Sequence, residues 1–338
     1  MSSSSGSGAA DEDADSHTLV EAVREALSVE MARDDDVVVL GEDVAENGGV
    51  FRATEGLLDR FGPDRVIDTP LAEAGIVGTA VGMAAYGLRP VPEIQFSGFL
   101  YPAFDQLVSH AARFRTRSRG RLTCPMVVRA PYGGGIRAPE HHAESKEAFY
   151  VHEAGLKVVV PSTPADAKGL LLASIRDPDP VVFLEPKLIY RAFRGAVPDG
   201  DDAIPLGEAA LRREGADVSV FCWGAMTRPT LEAAENLAVE GVDAEVVDLR
   251  TLSPLDRAAI VDSFEKTGRA VVVHEAPKTG GLGGEIAATI GEEALLYQEA
   301  PVVRVTGYDV PYPQYALEDY YLPSVTRVEE GIREAIEY

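Results

Sequence analysis

The chain has 338 residues, with 55 Asp and Glu against 31 Lys and Arg and a net charge of −24. Apolar residues make up 46% and charged residues 25%, the balance of a globular protein, and no run of about 18 apolar residues offers a membrane span. Such charge repels phosphate, which argues against nucleic acid as a partner. Two cysteines, Cys124 and Cys222, are too few for a disulfide framework or a Cys-rich zinc site. Residues 1–8, mostly Ser and Gly, lack the basic and apolar regions of a secretory signal, so a cytoplasmic location is expected. The lysines number six: Lys146, Lys157, Lys168, Lys187, Lys266 and Lys278. So acidic and lysine-poor a chain suits a salt-rich cell, where screening weakens self-repulsion; an acidic mesophilic protein is the alternative.

Residues 1–16 are small, polar and acidic and read as a disordered tail. From Thr18 the apolar spacing is helical, with Thr18 and Glu21 placed for a capping box. Asp36-Val-Val-Val-Leu40 reads as a strand, as do Arg89-Pro-Val-Pro-Glu-Ile-Gln-Phe96, Pro125-Met-Val-Val-Arg129, Leu156-Lys-Val-Val-Val160 and Pro180-Val-Val-Phe-Leu184. Helical stretches near 74–88, 101–116 and 164–176 lie between several of them. After a loop-like stretch, further strands follow at Val218–Cys222, Asp243–Asp248, Ala270–His274 and Pro301–Val305, with helices near 228–240, 256–265 and 284–296. This alternation predicts an α/β protein of two domains with mostly parallel sheets covered on both faces. The expected divisions are a tail at 1–16, a first domain at 17–190, a linker at 191–205 and a second domain at 206–338.

Several residues stand out chemically. Gly280-Gly-Leu-Gly-Gly284 precedes a helix but meets neither the Walker nor the dinucleotide spacing, so tight backbone approach is favoured over an anion site. Tyr132-Gly-Gly-Gly135 leads into Pro139-Glu-His-His-Ala-Glu-Ser145 and reads as a mobile loop presenting polar groups. A histidine there can act as general acid or base near neutral pH, although the His141–His142 pair also admits a metal reading; His110 and His274 read as structural. Glu73 stands just ahead of an almost wholly apolar helix. It is either a helix-end charge or a desolvated acid awaiting a ligand.

Stretches along the whole chain from about Thr18 onward carry a resemblance. They are Gly41-Glu-Asp-Val44, Gly49-Val-Phe-Arg52, Arg65-Val-Ile-Asp-Thr-Pro-Leu-Ala-Glu73, the 89–96 strand, Asp105-Gln106, Gly155-Leu-Lys-Val158, Asp166-Ala-Lys-Gly169 and Phe183-Leu-Glu-Pro-Lys187. In the second half they are His274-Glu-Ala-Pro277, Gly280-Gly281 and Tyr321-Leu-Pro323. The chain resembles the β subunit of the thiamine-diphosphate-dependent decarboxylase component of 2-oxoacid dehydrogenases, of the pyruvate and branched-chain type, and its acidity makes a halophilic archaeon the expected source.

The resemblance implies a pyrimidine-binding domain followed by a transketolase C-terminal-like domain. It implies that Glu73 hydrogen-bonds the cofactor's aminopyrimidine, favouring the imino tautomer that generates the reactive ylid. It implies that His142 is the active-site histidine and that Gln95 and Phe96 line the pyrimidine pocket. A potassium site, built mainly from backbone carbonyls, maps to Met126, Ser174, Ile175, Asp177 and Asp179. Ala143-Glu-Ser145 departs from the usual Ser-Gln-Ser or Ser-Asp-Ser, and Gly98 stands where some relatives carry Asp.

The Gly-Asp-Gly segment that holds diphosphate and Mg2+ in the family's α chain is absent, since Pro198-Asp-Gly-Asp-Asp202 falls in the linker. The chain is therefore expected to work as two α and two β chains sharing the cofactor. It would decarboxylate a 2-oxo acid and pass the acyl group to a lipoyl-bearing acyltransferase. The alternatives are the β chain of an acetoin dehydrogenase and a non-catalytic assembly partner.

Overall fold

A computed structural model of the chain describes residues 16–338. Residues 1–15 of the expected tail lie outside the described residues, and Ser16 does not belong to a tail: it opens a two-residue strand, β1 (Ser16–His17). Helix α1 (Leu19–Arg33) starts with the expected capping box. Thr18 Oγ1 accepts the Glu21 amide at 3.4 Å, and the Glu21 carboxylate accepts the Thr18 amide at 2.8 Å.

There follow β2 (Val37–Gly41), α2 (Leu57–Phe61), β3 (Val66–Asp68), α3 (Glu73–Ala85) and β4 (Arg89–Glu93). The helix expected over 101–116 is broken into a π-helical segment at Gln106–Ala111 and the short α4 (Phe114–Arg117). Then come β5 (Val127–Tyr132), α5 (Glu147–Val151), β6 (Lys157–Val159), α6 (Pro164–Arg176), β7 (Val181–Pro186) and β8 (Gly195–Ala196). β8 pairs antiparallel with β1, so the segment read as a linker contains a strand that fastens the start of α1.

The second series comprises β9 (Ala210–Arg213), β10 (Val218–Cys222), α7 (Thr227–Ala238), β11 (Ala244–Asp248), β12 (Thr251–Ser253), α8 (Arg257–Thr267) and β13 (Ala270–Pro277). It closes with α9 (Gly283–Glu293), β14 (Val303–Gly307), α10 (Glu318–Tyr321) and α11 (Val325–Glu337).

Two larger sheets result. One has the order β12-β6-β7-β5-β4-β2-β3, parallel except for β12; the other is β14-β13-β10-β11-β9, parallel except for the edge strand β9. β12 comes from the second series yet pairs with β6 of the first, which joins the two halves through backbone hydrogen bonds.

Burial on both faces explains the Val-rich strands. In β7, Val181 and Phe183 face one apolar cluster together with α1 and α6, while Val182 and Leu184 face a second cluster with α3. Both clusters run on into the second sheet, through Val218 and Val220 on one side and Phe221 on the other.

Candidate active site at the strand ends

β3, β2, β4, β5 and β7 lie side by side and parallel, so their carboxyl ends share one edge. Ligands of open parallel sheets bind along that edge. Gly41 pairs with both Asp68 and Glu93, which brings the ends of β2, β3 and β4 into register, and Glu93 pairs with Arg129 inside β5. The residues that follow those ends are Glu73 after β3, Glu42 and Asp43 after β2, Gln95 and Phe96 after β4, His142 after β5 and Lys187 after β7. Chain order scatters them over more than a hundred residues; the sheet sets them in one row.

Glu73 is half-buried at the first turn of α3. Among the described residues nothing hydrogen-bonds its carboxylate, so a ligand donor can take it without displacing a protein partner. The acid is close enough to Glu42 to help raise the Glu42 pKa, after the larger effect of burial. Gln95 Nε2 donates to Asp43 at 3.2 Å, and the Asp68 carboxylate accepts the Ala45 amide at 2.7 Å, holding the turn after β2. Of the two readings of Glu73, helix-end charge or desolvated acid, its half-buried place fits neither extreme: α3 leaves Gly75, Thr79, Gly82 and Ala85 exposed, so the helix that Glu73 opens is uncovered along one side.

His142 is held in an aromatic corner. Its ring centroid lies 4.4 Å from Phe96 and 4.9 Å from Phe99, both edge-to-face, and Phe96 packs in turn on Phe51 at 5.5 Å. Nδ1 lies 2.8 Å from the Glu140 carbonyl. A carbonyl only accepts, so Nδ1 carries the proton and Nε2 is left free for acid or base work. His141 adopts a left-handed φ of 67° and points elsewhere, half-exposed near Tyr101. Gly98 has a steric reason: a Cβ there would meet the His141 carbonyl oxygen at 1.9 Å. The departures at 143 and 144 are also placed. Ala143 is buried, and Glu144 turns its carboxylate onto the Tyr101 hydroxyl.

Beneath the row lies a buried ion cluster that sequence reasoning missed. Arg129 donates to Glu93 at 2.8 Å and to both Glu185 oxygens at 2.6 and 3.0 Å, with all three side chains buried. The signal was a charged residue in or beside each of three apolar strand runs, at Glu93, Arg129 and Glu185. Lys187 and Glu275 were quoted in motifs without a role; both are buried, and Lys187 has no hydrogen-bond partner among the described residues. Burial pulls the Lys187 pKa down to about 7 against the opposing pull of Glu275 and Glu318.

The glycine run at 133–135 is not a mobile loop. Cβ atoms at these positions would meet Glu275 Oε2 at 2.7 Å, the Tyr312 hydroxyl at 1.9 Å and Leu188 at 2.3 Å, so the glycines permit close packing. Gly281 and Gly283 likewise accommodate the buried His274, which stacks on Trp223. The potassium positions lie away from the row. The Ile175 and Asp177 carbonyls accept from Nη1 of Arg89 at 2.9 and 3.4 Å, and Arg115 binds the Asp179 carboxylate at 2.7 and 3.1 Å.

Residues 15–192 match the transketolase pyrimidine-binding domain and residues 207–328 the transketolase C-terminal domain. The chain is 51% identical to the pyruvate dehydrogenase E1 component subunit beta of Bacillus subtilis, over 95% of this chain and 99% of that one. It is 50% identical to the protein of that name from Acholeplasma laidlawii, over 94% and 97%. The chain belongs to the pyruvate dehydrogenase E1 β-subunit family. A solved structure titled a split gene transketolase, inactive beta4 tetramer, superposes with a TM-score of 0.77 at 25% identity, over 95% of this chain and 98% of that chain. As a member of the E1 β family the chain is the β subunit of a thiamine-diphosphate-dependent decarboxylase component of a 2-oxoacid dehydrogenase, an oxidoreductase that works with an α partner. No helix among the described residues is long and apolar enough to cross a membrane.

Proposed function

We propose that this E1 β subunit serves oxidative decarboxylation of pyruvate, in an assembly of two α and two β chains that passes the acetyl group to a lipoyl-bearing acyltransferase. One observation carries the reading: Glu73, Gln95, Phe96 and His142 line one sheet edge, in a chain that has no diphosphate-binding segment of its own. Such a chain holds half of a cofactor site, and the α chain supplies the Mg2+ and diphosphate ligands. When bound, thiamine diphosphate would supply the carbanion chemistry that decarboxylation of a 2-oxo acid needs. Glu73 would exchange a proton with the aminopyrimidine ring nitrogen and so favour the imino tautomer, Gln95 and Phe96 would bound the ring, and Nε2 of His142 would exchange a proton with the substrate side.

The pyruvate assignment rests on the names of the relatives, all close to half identical over nearly the whole chain. We include a cytoplasmic location, an origin in a salt-rich cell, and a division into a pyrimidine-binding domain at 17–190 and a transketolase C-terminal-like domain at 206–338. A potassium site at Met126, Ser174, Ile175, Asp177 and Asp179 is part of the proposal and rests on the resemblance alone.

The test is purification of the chain with its α partner in high salt, followed by assay with pyruvate, branched-chain 2-oxo acids and acetoin. A 2:2 native mass and highest turnover on pyruvate are expected. Preference for acetoin or a branched acid overturns the substrate assignment, and a lone chain without cofactor overturns the shared site.

A further inference from the structure

The 134–145 segment presents His142 without regular secondary structure, yet it is held tightly. One carboxylate oxygen ties both of its ends. Oε2 of Glu275, which is 3% exposed and comes from β13 of the second half, accepts the Gly134 amide at 2.9 Å and the Ser145 hydroxyl at 3.3 Å. The first and last residues of a twelve-residue segment are thus closed onto one atom, in a geometry that requires a glycine at 133, where a Cβ would sit 2.7 Å from that oxygen. Within the segment two non-glycine residues, Arg137 and His141, stand at left-handed φ values of 53° and 67°. Such conformations persist when their surroundings over-determine them. A second carboxylate from the same half, Glu318, accepts the Arg137 amide at 3.0 Å.

The clamp also reaches the aromatic corner. Lys187 Nζ, buried and without a hydrogen-bond partner among the described residues, lies 5.7 Å from the centroid of Phe96, the ring that packs on His142. Lys187, from the β7 side, and Glu275 each favour the other's charged form, against the larger effect of burial on both. We propose that Glu275 is a positioning residue: it fixes from the second domain where the 134–145 segment holds His142. The inference rests on the reading that His142 acts in the reaction.

The test uses the α–β holoenzyme with a lipoyl domain as acyl acceptor and four β variants, Glu275→Ala, Glu275→Gln, Ser145→Ala and His142→Ala. Each of the first three is also combined with His142→Ala. Misplacing a reacting group by about an ångström costs on the order of a hundredfold, so Glu275→Ala is expected to lower kcat by about 10–100-fold with KM little changed. Glu275→Gln, whose amide oxygen still accepts from Gly134, is expected to recover most of that loss. Added to His142→Ala, either Glu275 change should cost nothing further, because the group it positions is gone. Ser145→Ala removes one tie and is expected to cost about fivefold, the worth of one ordinary hydrogen bond, again only when His142 is present.

Wild-type turnover in Glu275→Ala, or a loss that multiplies with that of His142→Ala, overturns the proposal. If Glu275→Ala does not assemble, the Ser145→Ala cycle decides by the same criterion. Full activity of His142→Ala is a separate result, which removes the histidine's role and not merely the clamp.

Discussion

Glu147 shows how a single buried acid leaves a readable trace. Its carboxylate accepts the Trp223 indole N–H at 3.3 Å, and burial, with Glu275 nearby, pushes its pKa up to about 7. The folded protein therefore holds a proton that the unfolded chain has released between about pH 4.5 and 7. Stability supplied by this group is complete below the unfolded value and is lost as pH rises toward 7. Glu147→Gln removes that loss, so the variant should be more stable than wild type above pH 7 by about 1–3 kcal/mol, read by denaturant titration at pH 5 and pH 8. Equal differences at the two pH values would contradict the assignment. Arg129 gives a larger effect of opposite sign. Arg129→Ala leaves Glu93 and Glu185 buried and unpaired and should cost about 3–5 kcal/mol, measured as a fall in the denaturant midpoint. Glu73 and His142 were singled out as candidates because each sits in a local motif. Glu275 and Lys187 were not, because their partners come from the other half of the chain.

Helix α3 links local sequence to assembly. Its thirteen residues carry one charge, Glu73, and an apolar helix of that kind is expected to be covered all round. Here Ile76, Val77, Ala80 and Ala84 are buried, while Gly75, Thr79, Gly82 and Ala85 are exposed. A Cβ at Gly82 would meet nothing within 4 Å. Gly82→Leu should therefore leave the isolated β chain folded but block the tetramer, as judged by native mass after mixing with the α subunit. Normal assembly would show that this face is not the partner's seat.

The strands of both sheets were legible to within a few residues, because β-branched runs between turn signals need no distant information. The edge strands β3, β9 and β12 were not: β3 is only three residues long, and β12 gains its partner, β6, only by crossing to the other sheet. The amphipathic α11 also went unmarked. The run at 133–135 misled for a physical reason: glycine permits close packing as readily as motion, and the atoms that pack there lie far along the chain.

At the scale of the molecule, charge is the dominant feature. Of the six lysines, Lys168 and Lys187 are buried, Lys146 and Lys157 are half-buried, and only Lys266 and Lys278 are exposed, so the surface has few cations besides arginine. Self-repulsion from a net charge of −24 is screened as the Debye length falls from about 8 Å at physiological salt to about 3 Å at 1 M. The melting temperature should rise by several degrees between about 0.1 and 2 M KCl. A flat or falling profile would contradict salt adaptation. The two-domain α/β architecture was legible as a whole from strand–helix alternation, whereas the antiparallel closure of one sheet by the other half was not.

The central claim is that this edge is the β half of a shared cofactor site, and Glu73→Gln tests it most directly. The variant should form the α–β assembly with unchanged mass yet lose about 10²–10⁴-fold in decarboxylation turnover. An intact assembly that decarboxylates at the wild-type rate would contradict the account.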